Sequence, residues 1–163
     1  MIVVALIVSF FLEGLFTNLI PLNSYLLPLF TVTSLTILYP YFNNNNVKFI
    51  GVSTIIGFFY DIVYTDSLFV STFSFVLISM AIIIIYNYIN MNWLNINLLN
   101  IVIVILFKIT SYMILCIVGY FHFKSNVMIS GIYHSLIINF IYGLLLYGIT
   151  FKIGKRLNLK KME

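Results

Sequence analysis

Charged side chains are scarce in this 163-residue chain: eight Lys and Arg and four Asp and Glu, 7% of the whole. A soluble domain carries about 25%, so a water-facing surface cannot be built from this set, and a soluble fold is excluded. Cysteine is nearly absent. The single Cys116, set in an apolar run, can form neither an internal disulfide nor a thiolate metal site, and reads as a small packing residue. The first residues, MIVVALIVSFFLEGLF, have no basic region ahead of them and no small-x-small cleavage site, so they read as an uncleaved first transmembrane helix rather than a signal peptide. Also missing are a Gly-x-Ser-Gly nucleophile loop, the Gly-x-Gly-Asp half of an intramembrane aspartyl protease, a phosphate-binding glycine loop and any metal-ligand spacing. Ser130 and His134, four apart, read as a hydrogen-bonded pair on one helix. No catalytic, cofactor-binding or metal-binding residue is therefore expected, and no enzyme.

What remains is apolar: 63% hydrophobic residues and a mean hydropathy of +1.14. In a bilayer every backbone polar group must be satisfied internally, which leaves helices or a closed barrel. The apolar runs are long and unbroken rather than short and alternating, which selects helices. The expected fold class is all-α: a polytopic membrane protein, one integral membrane domain over residues 1–163, with helices near 2–20, 25–42, 47–65, 68–88, 98–121 and 127–151. Pro28 and Pro40 fall near the ends of the second, where proline is tolerated. Asn43 to Asn46, Asp66-Ser67, Asn87 to Asn97 and His122 to Asn126 read as loops.

The net charge of +4 is concentrated in a tail at 152–163 holding Lys152, Lys155, Arg156, Lys160 and Lys161. A basic segment after a last apolar helix is a topology signal, and it predicts both termini in the cytoplasm. It is not the basic face of a nucleic-acid reader. Tyr39, Tyr41, Tyr86, Tyr88, Trp93 and Tyr120 lie near helix ends and are expected to form an interfacial belt.

Glu13, Asp61 and Lys108 stand inside apolar segments, each about 10–14 residues, or roughly 16–20 Å, from the cytoplasmic start of its helix. Ionisable groups there cost roughly 2.5–3.5 kcal/mol each and face a partner or a cavity. Two acids and one base at one depth predict a buried cluster. On the last helix Gly131, Ser135, Asn139 and Gly143 recur at every fourth position, a ridge that lets another helix approach. On the third, Thr54, Gly57 and Asp61 share a face. A polar packing core, a partner contact and a ligand site are all open readings of Glu13, Thr54, Gly57, Asp61, Lys108, Ser135 and Asn139.

Gly57-Phe58-Phe59-Tyr60-Asp61, followed by Ser67-Leu68, resembles the signature of the MreD rod shape-determining family, in which Gly-x-x-x-Asp ends a transmembrane helix before a short turn and a Leu-Gly pair. Ser9 to Thr17 is similar to the acidic, phenylalanine-containing first helix of its Gram-positive members, and Ser135 to Asn139 to its last helix. The chain departs from the pattern where Phe69 follows Leu68 in place of glycine, which bears on close packing there. The resemblance implies a non-enzymatic scaffold of the bacterial cell membrane without cofactors. It would partner a single-span MreC-like protein and, indirectly, MreB filaments and the elongation peptidoglycan synthases. The alternative is a substrate-binding membrane subunit of an energy-coupling-factor vitamin transporter, a group to which the fold is expected to be similar. The short external loops at 21–24, 66–67 and 122–126 count against that alternative.

Overall fold

The computed structural model describes residues 2–19, 28–42, 45–65, 69–88, 92–120 and 122–156. The expected loops at 21–24 and 66–67, the beginning of the second predicted helix at 25–27 and the tail lysines Lys160 and Lys161 lie outside these residues. Six α-helices are present: α1 (Ile2–Leu19), α2 (Phe30–Leu38), α3 (Asn46–Tyr64), α4 (Val70–Tyr86), α5 (Trp93–Val118) and α6 (Ser125–Arg156). A 3₁₀ turn at Tyr39–Phe42 follows α2. No strand occurs among the described residues.

The chain is a membrane protein. α3, α5 and α6 are long and apolar enough to cross a bilayer, and α1 and α4 are shorter apolar helices. The outward faces are mostly apolar, for example Val4, Ile7, Phe11 and Leu15 on α1 and Ile55, Phe59 and Ile62 on α3. Polar side chains are turned inward: Ser9, Glu13, Ser53, Asp61, Asn100, Ser135 and Asn139 are all buried. This is the inside-out pattern demanded where the surroundings offer no hydrogen bonds.

The second predicted span needs correction. Instead of a continuous helix over 25–42, the described part holds a nine-residue helix, about 14 Å long at 1.5 Å per residue, too short to cross. Its limits follow from its two prolines. Pro28 and Leu29 remain outside the helix at one end, and at the other the helix gives way to the 3₁₀ turn where Pro40 has no N–H to donate. Every residue of α2 is buried. It is the centre of the bundle, packed against α1, α5 and α6, while α3 packs on α4 and α4 on α5. Leu35, Ile37, Phe49, Phe75, Ile78, Ile82 and Ile103 form the apolar core around it.

Other boundaries also shift. α5 begins at Trp93, five residues early, so part of the expected polar loop is helical. There Asn97 turns its amide back onto the Trp93 carbonyl at 2.8 Å, satisfying itself within the helix. α5 stops at Val118, before Gly119, whose φ of 88° is the left-handed C-terminal stop that glycine favours. The helix of α6 continues past 151 through Arg156. Of the expected interfacial belt, Tyr88, Trp93 and Tyr120 are exposed, but Tyr39 and Tyr86 are buried edge-to-face against each other at 4.8 Å.

Candidate functional site: two carboxylates that cap buried helices

Leu6, Ser9 and Glu13 recur at spacings of three and four, so one face of α1 carries all three inward. Glu13 is 2% exposed, and its carboxylate meets the start of α2. A helix that begins inside the bundle presents N–H groups that no water can reach. The residue preceding α2, Leu29, offers no side-chain cap. Glu13 supplies it from another helix: Oε2 accepts from the Thr31 backbone N–H at 2.9 Å and from the Thr31 hydroxyl at 2.7 Å. The carboxyl oxygens also lie at the positive end of the α2 dipole, which favours acceptors. Oε1 accepts from the Tyr60 hydroxyl of α3 at 2.6 Å. Asn139 on α6 completes the arrangement. Its Oδ1 accepts from the Leu29 N–H at 2.8 Å, and its Nδ2 donates to the Ser135 carbonyl at 2.6 Å.

Asp61 repeats the device one hairpin later. The residue before α4, Phe69, again provides no side-chain cap. Asp61 Oδ1 accepts from the Ser71 N–H at 2.8 Å and from the Thr65 hydroxyl at 3.1 Å, and Oδ2 from the Thr72 N–H at 2.9 Å and the Thr72 hydroxyl at 2.7 Å. Gly57, one turn earlier on the same face, makes this approach sterically possible. A Cβ there would stand 2.9 Å from the Thr72 Cα and 3.0 Å from the Phe75 Cβ. The Gly-x-x-x-Asp spacing thus joins α3 to α4 twice, by close contact at Gly57 and by carboxylate capping at Asp61.

The expected three-charge cluster is not what forms. Asp61 is engaged at the turn between α3 and α4, while its neighbour Tyr60, about 100° around the helix, reaches Glu13. Lys108 and Glu13 act on each other's charge through space, but no acid–base pair among the described residues closes to ion-pair distance. α1 and α3 are joined by tyrosines: besides Tyr60, the Tyr64 hydroxyl donates to the Phe10 carbonyl at 2.6 Å. Gly14 makes room for that ring, since a Cβ there would lie 2.5 Å from the Tyr64 oxygen.

Thr54 bonds its own helix at the Ile50 carbonyl, 2.8 Å away, and Ser135 the Ile132 carbonyl at the same distance. Ser130 likewise bonds the Val127 carbonyl. Along the α6 ridge the close approach falls at Gly143, where Asn97, Asn100 and Thr33 converge, and Gly131 has open space beside it. Thr33 Oγ1, Asn97 Oδ1 and Asn100 Oδ1 are buried there without a hydrogen-bond partner. Sequence reasoning passed over Thr31, Ser9, Asn97 and Asn100. Ser9 was visible four residues before Glu13. Asn97 sat in what read as a loop, Asn100 lay near the start of the expected fifth helix, and nothing in the sequence joins Thr31 to Glu13.

Among the described residues no group of three or more His, Cys, Asp or Glu is placed to hold a metal ion. The donors around both carboxylates are backbone amides and hydroxyls, the chemistry of helix capping. A family model described as rod shape-determining protein MreD matches residues 1–157. No curated protein and no solved structure matches the chain.

Proposed function

This chain belongs to the rod shape-determining protein MreD family, and we propose that it serves as a membrane scaffold of the bacterial cell-elongation machinery. In this reading it binds a single-span MreC-like protein within the bilayer and helps couple MreB filaments to peptidoglycan synthesis. It is a multi-pass protein of the bacterial plasma membrane with both termini in the cytoplasm, and it performs no catalysis. The observation that carries the proposal is the family match over nearly the whole chain. The residue chemistry supports it. Glu13, Asp61 and Asn139 are spent on holding helices together, and apolar outward faces are suited to recognition of another helix by close packing.

A tagged pull-down from native membranes in mild detergent, read by mass spectrometry, tests it. An MreC-like protein recovered together with cell-wall synthases is the expected result. A pair of ATPase subunits with a larger helical coupling protein would replace the scaffold with a transporter.

A further inference from the structure

α5 and α6 are both long and apolar enough to cross a bilayer, and the chain joins them through residues 119–124. The last turn of α5 is apolar and turned outward, with Ile117 80% and Val118 59% exposed. Beyond it the sequence reads Gly-Tyr-Phe-His-Phe-Lys-Ser-Asn before apolar residues return at Val127. A connection between two spanning helices lies where the hydrocarbon gives way to headgroups. This one holds three aromatic side chains, a histidine and a lysine, and no acid.

Tyr112, near the end of α5, fastens the far side of the connection. Its hydroxyl accepts from the Lys124 N–H at 2.8 Å and shares its own proton between the Lys124 and His122 carbonyls, at 3.3 and 3.4 Å. The Tyr112 and Phe123 rings stand 6.0 Å apart. With the backbone held in this way, Tyr120, His122, Phe123 and Lys124 are all presented on the surface. Aromatic rings at that level pack among glycerol and upper acyl groups. A lysine beside them lays its stem along the same apolar groups and carries its ammonium out to the phosphates. Because the connection has no acid of its own, its charge complements an anionic headgroup.

We propose that the α5–α6 connection is a docking surface for the headgroups of anionic phospholipids. Lys124 selects the anionic lipid, and Tyr112 positions the turn that carries it. The surface depends neither on the scaffold reading nor on which side of the membrane the connection lies, since headgroups border both.

The test uses the full chain in phosphatidylcholine vesicles with a reporter tryptophan beside the connection, made by Trp93→Phe together with Val127→Trp. Val127 is exposed and one turn from Lys124. Phosphatidylcholine or phosphatidylglycerol, brominated near the glycerol end of the acyl chains, is mixed in. Quenching then gives the relative affinity of the two lipids. Phosphatidylglycerol is expected to be favoured about fivefold, the effect of one lysine near an anionic surface, and less so in high sodium chloride. Lys124→Gln should abolish the preference and Lys124→Arg retain it. Tyr112→Phe should reduce it although no charge changes. Native Trp93, at the other end of α5, is the control, and there Lys124→Gln should alter nothing. Equal affinities of the two lipids, or a preference that survives Lys124→Gln, overturns the proposal. So does a reporter that neither lipid quenches, which would mean that protein, such as a second copy of the chain, covers the connection.

Discussion

Two hydrogen bonds join Glu13 to Thr31, one to the backbone N–H and one to the hydroxyl of the same residue, both received by Oε2. A third, from Tyr60, reaches Oε1. One carboxylate on α1 thereby fixes where the buried helix α2 begins and how far α3 stands from α1. Asp61 does the corresponding work between α3 and α4.

Removing the Glu13 carboxylate leaves three buried donors unpaired. Glu13→Ala is expected to destabilise the chain by about 3–5 kcal/mol and Tyr60→Phe by about 1.5–3 kcal/mol. Because the two residues share a bond, the double variant should lose little beyond Glu13→Ala alone. Reversible unfolding in mixed micelles measures all three, and full additivity would show that the Tyr60 bond does not contribute.

Asp61→Ala should loosen α4 at its first turn and leave α2 untouched. Amide hydrogen exchange is the measurement: faster exchange is expected at Ser71 and Thr72, with no change at Thr31. Equal protection in the variant would mean that another group caps α4.

At Gly57 the nearest neighbour of an added methyl is backbone, which cannot rotate away. Gly57→Ala should cost about 1–3 kcal/mol through displacement of α4. Gly51, on the same helix, has nothing within 4 Å of the same position. Gly51→Ala should be neutral or stabilising by up to about 1 kcal/mol, the helix preference for alanine. Equal effects at the two positions would count against close α3–α4 packing.

Phe69 has φ 70° and ψ −5°, left-handed backbone that costs a residue with a Cβ roughly 1–2 kcal/mol. Glycine, without a Cβ, would adopt this backbone at no such cost. The Phe69 ring is half exposed and touches Phe58 at 6.2 Å, a small contact to lose. Phe69→Gly should therefore raise stability by about 1 kcal/mol, whereas Phe69→Ala, which keeps the strain, should not. Thermal unfolding of the pair separates ring from backbone: equal midpoints would remove the strain argument.

Composition alone determined the solvent. With 7% charged residues and long apolar runs, a helical membrane bundle was the one way to satisfy the backbone. The sequence also set Glu13, Asp61 and Lys108 at similar counts along their apolar segments, which predicts a common depth because a helix rises by a fixed amount per residue. It marked Gly57 and Asp61 as one face, because four residues nearly complete a turn. Depth and face on one helix do not say what stands opposite, since that depends on how each helix is rotated and paired. Only the tertiary structure decided that Asp61 turns to α4 while Tyr60, its neighbour, turns to Glu13. It decided that Lys108 stays apart from both acids. It also revealed α2 as a short buried helix. Its apolar run looks like a membrane span, and Pro28 and Pro40 stood in plain view, but whether a helix ends at a proline or bends past it depends on whether partners elsewhere in the fold can satisfy the freed N–H groups. Here Glu13 does so from the preceding helix and Asn139 from the last one.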